Sequence, residues 1–184
     1  MLLRLAPIVA LLGCPGPQPP ATCAVLGDAA QPVALLPFAA DAQGGLHALH
    51  DGDTVLLQKP PQGGFVIYAG AAARNLSPCS VQYTAELIDP STGNPLTGLD
   101  QRHADLVSAS GGYWWPASGL GQLANIPSCP DALHVGVVGR AAILRVDVLD
   151  ATGRSARVET QVTPVCPAGD SSCACVCGPD PAGC

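Results

Sequence analysis

Four cysteines crowd the end of this 184-residue chain: Cys173-Ala174-Cys175-Val176-Cys177, then Cys184. Thiolates in such a cluster bind zinc or copper(I) when reduced. When oxidised they pair as disulfides. The C-x-C-x-C spacing is not the pair of C-x-x-C knuckles common in zinc sites. Disulfide geometry also makes bridges between such close neighbours poor. Each tail cysteine is therefore expected to reach elsewhere, some to Cys23, Cys129 or Cys166 and some to Cys184, giving a stapled tail. A second group with ligand chemistry is His47-x-x-His50-Asp51-Gly52-Asp53. Imidazoles and carboxylates suit zinc-like ions, but Asp51-Gly52 is also a turn signal. The segment reads as a polar loop, and no metal site is assigned.

Catalytic motifs do not emerge. The chain has no G-x-S-x-G elbow, no H-E-x-x-H and no phosphate-cradling glycine loop ahead of a helix. His103 and His134 stand far from the first histidine pair. A non-enzyme without a cofactor is expected. Eight basic against 14 acidic residues give a net charge of −6, which disfavours nucleic acid as a partner. Tyr113-Trp114-Trp115 is the chain's densest aromatic group. On a strand, Trp114 and Trp115 point to opposite faces. At most one enters the core, and the other is exposed or loop-covered, a contact for sugar or protein.

The remaining chemistry lies near the N-terminus. Arg4 precedes an apolar stretch, Leu5 to Leu12, then Gly13 and Cys14. That is the layout of a secretory leader, too short to span a bilayer as a helix. Leu11-Leu12-Gly13-Cys14 resembles the lipobox of bacterial lipoproteins. The resemblance implies cleavage after Gly13 and acylation of Cys14. Leu12 and the interrupting Pro7 depart from the usual pattern, and the likeness covers only the leader. Abundant Ala, with Gly 21 and Pro 19, and arginine in place of lysine at all basic positions but Lys59, make the chain similar in style to small lipoproteins of myxobacteria. With Cys14 acylated, eight of the nine cysteines remain, an even set suited to an oxidising compartment.

The elements that carry these groups read as β. Residues 14–44 form a Pro-rich tether with an edge strand near Val33 to Phe38. Strands are expected at Thr54 to Gln58, Phe65 to Ala69 and Ser80 to Ile88, separated by Gly/Pro turns. Leu99 to Gln122 is irregular, and Leu133 to Val138 is a further strand. Ile143 to Val165 is the clearest hairpin. With Asp150 paired to Arg154 around Gly153, Asp147 faces Arg157, Arg145 faces Glu159 and Val146 meets Val158. A slip of one residue would destroy both charge pairs.

These short strands, with no strong helix among them, point to an all-β, disulfide-bonded antiparallel β-sandwich over 45–166. It resembles an immunoglobulin-like or fibronectin III-like domain, though the Cys–Trp–Cys signature of antibody domains is missing. The sandwich lies between the tether and a Cys-rich tail, 167–184. The expected role is a non-catalytic binding or structural module of the cell envelope, held by lipid in the outer membrane. Its partners would be the membrane, through the anchor, and an envelope protein or glycan. The alternative is a metal- or redox-handling protein using the tail cysteines.

Overall fold

The computed structural model describes residues 23–117, 119–130 and 136–179. The leader 1–13, Cys14, positions 133–135 and Cys184 lie outside the described residues. Among those described, eleven strands form two sheets, with one short α-helix after the last strand.

One sheet holds β3 (Asp53–Leu56), β11 (Ser155–Val165), β10 (Ala142–Leu149), β5 (Val81–Ile88) and β6 (Asp100–Ala104), in that spatial order. The other runs β2 (Leu46–Ala48), β1 (Ala34–Ala40), β4 (Phe65–Arg74), β8 (Tyr113–Pro116), β7 (Leu106–Ser110), and β9 (Ala124–Cys129) shares an edge of β4 with β8. Pairing is antiparallel except for β3 on β11. The sheet of β5, β10 and β11 facing the sheet of β1, β4 and β9 follows the immunoglobulin-like scheme. Neither β4 nor β10 contains a cysteine, so the inter-sheet bridge of antibody domains has no counterpart. The disulfides tie the ends instead.

The hairpin register is the expected one. Asp147 faces Arg157, Arg145 faces Glu159 and Val146 faces Val158. Leu144, Val146 and Val148 are buried in the main core. Arg145 bonds Glu159 at 2.7 Å and reaches Glu86 on β5 at 3.4 Å. Alternation with apolar residues on one face and complementary charge on the other leaves one register that satisfies both.

Other segments differ from expectation. The sandwich begins before residue 45, because β1 belongs to it. β1 keeps its expected edge over Ala34–Leu36, because β2 pairs with it only at Phe38–Ala40. Pro37 has no N–H to donate, which a position beside this edge tolerates, and its carbonyl accepts the Leu49 N–H at 2.8 Å. Leu99 to Gln122 holds three strands, β6 to β8, and a one-turn 3-10 helix. Val137 and Val138 lie outside any strand, and their N–H groups donate to the Cys177 carbonyl at 3.1 Å. The tail forms helix α1 (Ser171–Cys177), capped by Asp170, whose carboxylate accepts the Cys173 N–H at 3.0 Å.

The tether also differs. Its described part, 23–32, is docked. Cys23 is bonded to Cys79, and the Cys23 carbonyl accepts from Ser77 Oγ at 2.8 Å. Leu26 pairs with Leu76 through backbone hydrogen bonds. Asn75 donates to the Pro32 carbonyl, and Arg154 donates to the carbonyls of Ala29 and Gln31. Gly27 is required here: its φ is +100°, and a Cβ would lie 2.5 Å from Asn75 Oδ1.

Candidate binding surface

β7 and β8 are joined by Gly111-Gly112 at φ 60° and 79°. Two consecutive left-handed residues make the tight turn whose twist suits a hairpin. The turn sets the alternation of Tyr113-Trp114-Trp115. Trp114 packs on the core between the sheets, while Tyr113 and Trp115 face the outer side. The opposite-face expectation holds, and neither indole is fully buried.

On the outer face of the sheet of β1, β4 and β8, Trp115 joins a second apolar cluster with Phe38, Val66, Tyr68 and Leu123. The Phe38 and Trp115 rings lie 5.4 Å apart, tilted by 32°. Trp115 Nε1 donates to the Ser110 carbonyl at 3.2 Å. Phe38 faces Gly70 across the sheet, and a Cβ at Gly70 would meet its ring at 2.7 Å. The glycine opens the seat on which the aromatic stack is built. Arg74 lies over the Tyr113 ring, 5.2 Å from its centroid.

Beside Trp115 is an open cleft of about 390 Å³, bounded by Leu46, Val107, Ser108, Ser110 and Pro116. Apolar floor and hydroxyl rim together suit the flat face of a sugar ring or an apolar peptide side chain. Leu46 lines the cleft, buried Phe38 supports Trp115 from beneath and Arg74 lies over Tyr113; none of the three was among the residues selected from sequence. The signal available was Gly70 interrupting an alanine run in a strand, a mark of close approach. A wider depression of about 580 Å³ covers the other sheet, beside Asp147 and Arg157. Those two charges neutralise each other at 2.7 Å, which leaves it less to offer a ligand.

The histidine segment is dispersed. His47 bonds Asp41 at 2.7 Å, and the backbone N–H of His50 donates to Asp53. Asp51 accepts from Gln161 N–H and Thr160 Oγ1, bonds that hold its carboxyl below the usual range. Among the described residues, no three His, Cys, Asp or Glu side chains converge as a metal site would require.

The cysteines are committed. Cys129 bonds Cys177, Cys166 bonds Cys173, and Cys175 is disulfide-bonded too. Helical spacing puts Cys173 and Cys177 on one buried face. This is how C-x-C-x-C avoids pairing within itself.

The most heavily hydrogen-bonded carboxylate is Asp150, 4% exposed. It accepts from the N–H groups of Ser77, Thr152 and Arg154 and from Thr152 Oγ1. Burial alone would raise its pKa, but these donors together hold it below the usual carboxylate range. All four donors belong to loops, so the arrangement is structural.

No known protein-family model matches this chain, and no curated protein matches it in sequence.

Proposed function

We propose that this chain is an exported, lipid-anchored envelope module that binds a protein or glycan through the cleft beside Trp115. One observation carries the export part: every described cysteine is disulfide-bonded. Thiols persist as disulfides outside the cytosol. Acylation of Cys14 is the reading of the lipobox-like stretch. What supports binding is the lining itself, an indole and apolar side chains rimmed by hydroxyls.

Intact mass of protein extracted from its own membrane tests the anchor. The expected species starts at Cys14, carries acyl chains and has no free thiol. Protein in the soluble fraction with residues 1–13 attached would refute it. Trp115→Ala tests the cleft. Immobilised variant should lose most capture of envelope protein or cell-wall glycan while staying folded by circular dichroism at the assay temperature; unchanged capture rules the cleft out. The metal- or redox-handling alternative needs reduced tail cysteines, so a native thiol titration that finds reactive thiols would favour it.

A further inference from the structure

We infer that the open edge of β7 receives an extended, uncharged peptide segment of a partner protein as an added strand, with an apolar side chain of that segment seated beside Trp115. The inference rests on the binding role proposed for the cleft and narrows its ligand from protein or glycan to a peptide strand.

Strand edges are ordinarily blunted by charge, proline or shortness. β6 carries Asp100 and Arg102, β3 carries Asp53, β9 carries Pro127, and β2 has only three residues. The open stretch of β1 runs into Pro37. β7 reads Leu106-Val107-Ser108-Ala109-Ser110, without charge or proline. It ends its sheet, and among the described residues no strand pairs with its outer side. Ser108, Ala109 and Ser110 are exposed. Only the entry to β7 is closed: Leu106 donates its N–H to the Pro78 carbonyl at 2.8 Å, and the register shifts between Leu106 and Ser108.

The hairpin decides where the free backbone groups of β7 point. The tight Gly111-Gly112 turn makes Ser110 and Tyr113 a hydrogen-bonded pair. The next pair, Ala109 and Trp114, is then non-hydrogen-bonded across the hairpin. Trp114 turns its backbone toward β4, where it meets Ala73, and Ala109 turns its N–H and C=O to the open side. An antiparallel segment laid there exchanges both N–H···O bonds with Ala109. The side chains on either side of that contact lie opposite Ser108 and Ser110, on the face that carries Tyr113 and Trp115. Serine is small, so Ser108 and Ser110 leave the space of the cleft between the indole and the edge. A long apolar side chain crosses that space to the ring. The bond from Trp115 Nε1 to the Ser110 carbonyl uses the polar edge of the indole, and its apolar surface remains for the ligand. Among the described residues lining the cleft none is charged, which matches an uncharged segment and gives a charged one no counter-ion. A sugar ring would use the indole and the hydroxyls but leave the outward N–H and C=O of Ala109 idle.

The experiment sorts a displayed library of short random peptides on the immobilised full chain. Selected peptides should share an uncharged apolar–x–apolar pattern. A backbone N-methyl scan of one such peptide should abolish binding at alternate positions, because a strand bonds its neighbour through every second residue. Ala109→Pro should weaken binding by about tenfold or more while circular dichroism stays native, since that N–H makes no bond within the hairpin. Ala109→Val keeps the N–H and should bind as wild type. A flat N-methyl scan, or wild-type affinity in Ala109→Pro, overturns strand addition; if Trp115→Ala still loses the peptide, the cleft reading survives. Capture of uncharged oligosaccharides with no peptide selected gives the cleft to a glycan and also overturns the inference. A peptide indifferent to both Ala109→Pro and Trp115→Ala removes the cleft and the added strand together.

Discussion

The two ends of the sandwich are held by different physics. At the Cys79 end, one disulfide is backed by a buried carboxylate: Asp150 accepts four hydrogen bonds, one of them from Ser77 across the sandwich. At the tail end, two disulfides hold a helix of seven residues, too short to persist in water unaided. One end therefore closes on a buried, hydrogen-bonded carboxylate, and the other depends chiefly on covalent bonds. The lesson is that a small sandwich closes its open ends with whatever its loops supply, since its core covers only the middle.

The largest expected effect attacks the tail end. Cys129→Ala with Cys177→Ala should lower unfolding free energy by ~2–5 kcal/mol in a urea titration. It should also open residues 167–179 to proteolysis while the hairpin stays protected. A tail that remains protease-resistant would mean α1 docks without its bridge.

Asp150→Ala comes next and attacks the other end. It strands the buried Ser77 N–H and frees the turn, at a cost of ~2–4 kcal/mol by denaturant midpoint. The pH dependence has a definite sign. The folded-state pKa of Asp150 is depressed, so its contribution is complete above the unfolded-state value of about 3.9. It is lost as pH falls through the lower folded-state value. Asp51, Asp89 and Asp170 are shifted in the same direction. Wild-type stability should be flat near neutrality and fall below pH ~4, with a shallower fall in Asp150→Asn. Equal acid slopes in the two proteins would remove Asp150 from its assigned role.

The smallest effect lies between the ends. Gly70→Ala forces Phe38 off its seat and should cost ~1–3 kcal/mol. It should shift the fluorescence of Trp115 without changing the response to acid or reductant. A changed acid response would show that the middle and the ends are coupled.

Legibility followed the range of the interactions. The 145–159 hairpin was readable to the residue because its strands are adjacent and its charges signal register. Opposite faces for Trp114 and Trp115 needed only strand alternation. The docking of 23–32 was hidden, because proline content says that a segment is extended and not whether distant donors meet its carbonyls. Arg154, which donates to Ala29 and Gln31, stands far along the chain. Helix α1 was missed because seven residues carry too little periodicity, although Cys173 and Cys177 four apart were a usable sign. The irregular reading of 99–122 failed because strands as short as β6 and β7, five residues each, take their structure from sheet partners.

Taken alone, the order of residues determined the all-β class, the hairpin register, the alternation at Tyr113-Trp114-Trp115 and the oxidised fate of the cysteines. Each depends on neighbours along the chain or on simple composition. The tertiary structure decided which cysteines pair, that Phe38 would lie against Trp115, and that the first and last described segments close opposite ends. Those outcomes depend on which distant surfaces come within bonding distance. Contacts of that kind form only when the two sheets pack, so short-range patterns along the chain do not encode them.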